Sequence, residues 1–244
     1  MLAQTYPHIE YVVEDGASTD GTVERLHSYG SSITRFVSET DSGPYNAMNK
    51  ALSMLSGDVI VFLNAGDRFA SPAVLEAMAE VFTVDPQAML VYGDHVAWYS
   101  PNHVLRVHQP EVLTRWELWL KAVCHQTIFA RRELFERVGR FDERLRVCAD
   151  WDWTIRSVLV SGHKSVHISV PVCYFRMGGI CSNRTALQRE RNELHRRYYS
   201  WMERLVLPVR EFFYKVGVRL CNRDFSLPWA LRRLQQRVSH HGIY

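Results

Sequence analysis

Residues 56–67 read Ser56-Gly57-Asp58-Val59-Ile60-Val61-Phe62-Leu63-Asn64-Ala65-Gly66-Asp67. An apolar run from Val59 to Leu63 starts behind a Ser-Gly turn and stops at Asn-Ala-Gly-Asp. It is as long as a buried strand and far short of the roughly 18 apolar residues that span a bilayer. Helical patterns flank it. Tyr45 to Leu55 puts Ala47, Met48, Ala51, Leu52 and Leu55 on one helical face, and Ser71-Pro72 opens a helix expected to run through Phe82. Outward from there, Ile9–Val13, Arg35–Ser38 and Met89–Tyr92 read as short strands, and Thr22–Tyr29 as a helix. Strands alternating with helices of about ten residues predict βαβ units and a largely parallel sheet.

The composition fits one large α/β domain with an appendage. The chain has 244 residues, 47% hydrophobic and 23% charged, which argues against a disordered chain or a small disulfide scaffold. Five cysteines form no C-x-x-C pair and suit reduced thiols in a cytosol. The start, Met1-Leu2-Ala3-Gln4-Thr5, has neither the basic nor the apolar region of an export signal. Net charge is +3, but residues 187–244 carry +7 and the rest −4. The boundary is therefore drawn at 186/187, between an acidic body and a basic helical extension broken by Pro208 and Pro228. Glu133–Val138 and Asp150–Val160 read as helices closed by Gly139 and Gly162, and His167–Arg176 as a strand. Residues 95–123 read as a crossing ribbon and loop.

Three strand patterns run into acids: Val12-Val13-Glu14-Asp15, the stretch ending at Asp67, and Val91-Tyr92-Gly93-Asp94. Ligands of open α/β sheets sit beyond the carboxyl ends of strands, so neighbouring strands would bring three carboxylates to one crevice. Such a group calls for a cation, and carboxylate oxygens suit Mg²⁺ or Mn²⁺. The plainer reading of each Asp-Gly is a turn.

The stretch Gln4-Thr5-Tyr6-Pro7-His8-Ile9-Glu10-Tyr11-Val12-Val13-Glu14-Asp15-Gly16-Ala17-Ser18-Thr19-Asp20-Gly21-Thr22 resembles the opening signature of family 2 glycosyltransferases. The resemblance continues through Asp41-Ser42-Gly43-Pro44-Tyr45-Asn46-Ala47-Met48-Asn49-Lys50 and residues 56–64, and extends to about residue 185. It implies a GT-A α/β fold over residues 1–186, a nucleotide-sugar donor, a divalent metal and inversion at the anomeric carbon. The nearest likeness is to bacterial enzymes of capsule, exopolysaccharide or surface-glycolipid assembly.

Carried over residue by residue, the resemblance puts Asp15 and Gly16 at the nucleoside, and Asp41, Gly43, Asn49 and Lys50 along the donor. Lys50 either meets phosphate or is a solvated helix lysine. Asn64-Ala65-Gly66-Asp67 occupies the D-x-D position, where Asp67 alone keeps a carboxylate for Mg²⁺ or Mn²⁺ and Asn64 stays on the donor side. Asp150 stands where the family has its catalytic base, which must reach the acceptor hydroxyl. Asp152 and Trp151 beside it, with His125 and Gln126, fall on the acceptor side. Asp94 is expected near donor or acceptor hydroxyls, and Arg176 near the diphosphate. The implied donor is a UDP-hexose, and the acceptor a glycan or a polyprenyl-linked sugar.

In the extension, Val206, Val209, Phe212, Phe213, Val216 and Leu220 form an apolar stripe flanked by Arg204, Arg210, Lys215, Arg219 and Arg223. It packs on the body or lies on a membrane surface, which would hold a cytoplasmic enzyme at the inner leaflet. No nucleic-acid reader motif accompanies these charges. Two other functions stay open: a sugar-nucleotidyltransferase, which needs a Gly-rich phosphate loop, and a catalytically silent membrane-associated scaffold. Relative to the family pattern the start is short by about 25–30 residues, one strand and one helix. The expectation is a truncated start that binds donor poorly and self-associates.

Overall fold

The computed structural model describes residues 1–179 and 183–224. The chain runs β1 (Val12–Asp15), α1 (Thr22–His27), β2 (Arg35–Ser38), α2 (Pro44–Leu52), β3 (Val59–Ile60), β4 (Arg68–Phe69) and α3 (Val74–Val84). It continues through β5 (Leu90–Ser100), β6 (His103–Val107), α4 (Arg115–Leu120), β7 (Ile128–Arg131), α5 (Arg132–Val138) and α6 (Ala149–Ile155). β8 (Ser165–Arg176), α7 (Arg184–Tyr198) and α8 (Trp201–Asp224) complete it.

Six strands join in the order β3-β7-β5-β8-β4, with β6 paired to β5, while β1 and β2 form a separate parallel pair. The fold is α/β as expected, but the sheet is mixed rather than largely parallel. Within the larger sheet only β5–β8 is parallel; β3–β7, β5–β7, β4–β8 and β5–β6 are antiparallel. The ribbon after residue 95 is a hairpin of β5 with β6, and β7 then enters antiparallel between β3 and β5. Strand direction depends on such connections, which hydrophobic periodicity does not record.

Side chains alternate across the sheet as the pleat requires. Leu90 and Tyr92 face a cluster with Met48, Leu134 and Trp153, whereas Val91 faces one with Val74, Met78 and Phe82. Burial on both faces explains why these strands read as unbroken apolar runs.

Several boundaries differ from the sequence reading. β5 passes through Gly93-Asp94 instead of stopping there. Its register with β8 slips at this point, and a Cβ on Gly93 would lie 2.7 Å from Val172 Cγ2 and 2.8 Å from the Val170 carbonyl oxygen. The glycine therefore serves a bulge and close strand approach, not a turn. α3 begins at Val74, and its N-cap residue Ala73 has no side-chain acceptor; Gln4 Oε1 accepts from Leu75 N (3.1 Å) in its place. α6 runs on through a π-helical turn, Arg156–Val160. Pro208 lies inside α8, which continues past it at the loss of one ladder hydrogen bond. Pro228 lies outside the described residues.

The chain divides into compact units Met1–Tyr198 and Tyr199–Tyr244. α7 goes with the first, since Glu190 and Leu194 are buried. The structural division thus falls later than the change of composition at 187. Among the described residues no helix is long and apolar enough to cross a membrane.

Candidate active site

The turn after β1 explains the spacing Asp15-Gly16-Ala17-Ser18. Asp15 Oδ1 accepts from Ser18 Oγ (2.6 Å), and Oδ2 accepts from Ser18 N (2.9 Å) and Ser38 Oγ (2.6 Å). These bonds, that of the Ser18 hydroxyl foremost, hold the Asp15 carboxyl below its ordinary range. A Cβ on Gly16 would stand 2.6 Å from Asp41 Oδ2, so Asp41 packs directly on this turn. Asp41 Oδ1 in turn accepts from Gly43 N (2.7 Å), at the start of α2. Asp15, Gly16, Asp41 and Gly43 are therefore brought together.

Two residues after Gly43, Tyr45 links this corner to Asp150. Its hydroxyl lies 3.0 Å from Asp150 Oδ1 and 2.9 Å from the Val147 carbonyl oxygen. Asp150 Oδ1 also accepts from Trp151 N (2.8 Å), and Oδ2 lies 2.9 Å from His125 Nδ1. Asp150 sits in the first turn of α6, where a carboxylate is favoured by the helix dipole. The approach to that turn is fixed from α7: the buried Glu190 carboxylate accepts from Arg146 N, Val147 N and Cys148 N, each at 2.9 Å. Neither Tyr45 nor Glu190 was singled out from sequence. Tyr45 lay inside the matched motif but read only as a helix residue, and nothing in the sequence pairs Glu190 with residue 146.

Gln126, next to His125 in a short 3-10 turn, donates from Nε2 to Asp67 Oδ2 (2.8 Å). Asp67 Oδ1 accepts from Arg176 N (2.8 Å), and the Arg176 side chain runs over Gly66, its Cδ 3.5 Å from where a Cβ would be. Asp67, Gln126, His125, Asp150 and Tyr45 thus form one connected line.

The three-acid crevice is not formed. Asp15 belongs to the separate β1–β2 pair and Asp94 lies inside β5; among the described residues no group of three His, Cys, Asp or Glu is placed to hold a metal. Asp67 by itself still fits a hard cation. Its two hydrogen-bond donors are a neutral amide and a backbone N–H, so its charge is uncompensated by them and each oxygen keeps a lone pair. A Mg²⁺ or Mn²⁺ ion completed by water and phosphate oxygens needs no more than one or two carboxylates.

Other expected residues are occupied by the fold. Asp94 is fully buried: Oδ1 meets Gln109 N and His167 Nε2, and Oδ2 meets Arg106 Nη2 and His108 Nδ1, which leaves no lone pair for a ligand. Asn49 pins residues 141–143, through Phe141 N and O and Glu143 Oε1. Lys50 binds Glu39 (2.8 Å) and the Thr40 carbonyl (2.7 Å); the Glu39 hydrogen bond leads in pushing its pKa up. Trp151 is core, donating to the Leu118 carbonyl. Asp152 is buried among Arg156, Arg197 and Tyr198. Asn64 contributes its carbonyl to Asp67 N.

An α/β fold that carries the Asp15–Asp41 corner, Asp67 and the Asp150–His125 pair has the architecture of GT-A glycosyltransferases. Residues 1–139 match the profile "Glycosyl transferase family 2", and the chain belongs to that family. It is 36% identical over 156 residues to a "PGL/p-HBAD biosynthesis glycosyltransferase" of Mycobacterium bovis, covering 63% of this chain and 59% of that protein. The chain therefore spans less than two thirds of that relative's length. An uncharacterized glycosyltransferase of Mycobacterium tuberculosis is 30% identical over 202 residues, covering 80% of this chain and 76% of that one. Among solved structures, Staphylococcus aureus TarS 1-349 in complex with UDP-GlcNAc aligns with TM-score 0.61 at 19% identity, covering 74% of this chain and 54% of that one. The mannosyltransferase PcManGT of Pyrobaculum calidifontis, in complex with GDP-Man and Mn²⁺, aligns with TM-score 0.53 at 23% identity, covering 78% and 54%. At these identities the structures speak for the fold alone.

Proposed function

We propose that this chain moves a hexose from a nucleotide-sugar donor, a UDP-sugar first, to a glycan or polyprenyl-linked acceptor with inversion. The carrying observation is the line Asp67–Gln126–His125–Asp150–Tyr45, which joins the Asp67 carboxylate to an acid–imidazole pair. The donor complexes of TarS and PcManGT and the biosynthetic name of the M. bovis relative support the same reading. Asp15, Gly16, Asp41 and Gly43 receive the nucleoside, and Arg176 stands ready for the diphosphate. A metal at Asp67 would neutralise charge on the departing diphosphate. The centre at Asp150 removes the acceptor proton as the acceptor oxygen bonds the anomeric carbon from the face opposite the leaving group. Incubation with UDP-, GDP- and dTDP-hexoses should release nucleoside diphosphate from one of them, faster when a lipid-linked sugar is added. No release from any donor would favour the silent scaffold.

The apolar stripe of the extension falls on α8. Trp201, Met202, Leu205, Val206, Val209, Phe212 and Phe213 are each more than half exposed. They lie within one arc of the helix, with Arg204 and Lys215 along one border and Arg210 along the other. An apolar arc with basic borders suits the interface of an anionic membrane, each basic residue near the surface adding about 1 kcal/mol. Full-length protein should sediment with anionic liposomes at low salt, and residues 1–198 should remain in the supernatant while staying folded. Equal sedimentation of both would remove α8 from membrane contact.

A further inference from the structure

The Asp150 carboxylate is held at both oxygens. Its Oδ1 accepts from Trp151 N and lies beside the Tyr45 hydroxyl, whose single hydrogen is shared with the Val147 carbonyl oxygen. Its Oδ2 is engaged by His125 Nδ1 at 2.9 Å. On the far side of that ring, His125 Nε2 is buried and has no hydrogen-bond partner. Leaving a buried polar atom unpaired costs about 1–3 kcal/mol, and such an atom calls for a ligand or a catalytic role.

The ring is also well held. Its turn is closed by Thr127 N donating to the Cys124 carbonyl (2.9 Å), and the adjacent Gln126 is tied to Asp67. The imidazole and the amide that holds Asp67 therefore leave neighbouring positions of one short turn. A carboxylate on Nδ1–H selects the tautomer in which Nε2 is the free base, and it stabilises the imidazolium that forms.

We propose that His125 Nε2 takes the acceptor's proton and that Asp150 acts through the ring as its orienting and charge-balancing partner. The proposal rests on the glycosyl-transfer reading and specifies which atom does the proton chemistry. As the acceptor oxygen bonds to the anomeric carbon, its proton passes to Nε2. The bond from that carbon to the diphosphate oxygen breaks, and the nucleoside diphosphate leaves with the electron pair. The imidazolium, paired with ionised Asp150, then returns its proton to water.

Two amide variants remove the ring's basicity. His125→Asn puts an amide nitrogen near the Nδ1 position and keeps a donor to Asp150; His125→Gln extends an amide toward the Nε2 position. Neither amide is a base, so both should lower transfer about 10²–10⁴-fold. UDP affinity and melting temperature should stay near wild type. Transfer by His125→Gly should rise with added imidazole, in proportion to its free-base form. The dyad is overturned if His125→Asn keeps transfer within about threefold of wild type, since the ring then only positions Asp150. It is also overturned if imidazole fails to restore His125→Gly, or if UDP affinity falls as far as transfer does. Failure of the wild type to release nucleoside diphosphate from any donor is a different result, and it counts against glycosyl transfer itself.

Discussion

Asp150→Asn is expected to lower transfer about 10²–10⁴-fold while UDP affinity and melting temperature stay close to wild type. The substitution is nearly isosteric. An Asn oxygen at Oδ1 still accepts from the Tyr45 hydroxyl and Trp151 N, so the first turn of α6 keeps its partners. The amide nitrogen then faces His125 Nδ1 and reverses the polarity of that contact. Nδ1 must become the acceptor, which puts the ring hydrogen on Nε2, and no negative charge remains to stabilise an imidazolium. Single-turnover transfer beside calorimetric UDP binding checks this. Transfer within a few-fold of wild type would remove Asp150 from the mechanism.

The second large effect is at Asp67. Asp67→Ala should abolish the part of UDP binding that depends on Mn²⁺, because no other carboxylate survives in its motif. Alanine also leaves Gln126 Nε2 and Arg176 N without their acceptor, a structural cost of about 1–3 kcal/mol each. Asp67→Asn is the companion variant: it retains an oxygen for Arg176 N but lacks the charge a divalent ion needs. Calorimetry of UDP with Mn²⁺ and with chelator should then give the same affinity for Asp67→Asn. A surviving Mn²⁺ enhancement would mean that the cation is held elsewhere, and Asp94 is not a substitute because its oxygens are already saturated by the fold.

Much of the Asp15–Asp41 corner was legible because its contacts are local. Ser18 stands three residues from Asp15, and that spacing is what lets one serine supply two donors to one carboxylate. Asp41 to Gly43 is equally short. The groups around Asp150 are not local: Tyr45, His125 and Asp150 meet across separations that no periodicity encodes, so only the family resemblance brought the latter two forward. Two other residues it names are held by the fold. Asn49 and Trp151 sit within matched segments, yet polar atoms buried in a core must find partners, and these two found backbone groups of neighbouring segments. Gly93-Asp94 failed for another reason. A glycine before an acid reads as a turn on composition, and the strand pressing against it is visible only once β8 is in place.

Glu190 has a practical bearing on how this protein can be divided. Its carboxylate gathers three backbone N–H groups just ahead of the helix that carries Asp150, yet it belongs by composition to the basic extension. A cut at residue 187 would remove that clasp and give an inert product for reasons unrelated to lipid or substrate. A cut after Tyr198 leaves it in place. On the proposed reading the Asp150 centre and α8 are then separable parts: exchanging α8 for another segment should change liposome binding and leave the His125–Asp150 pair unaltered.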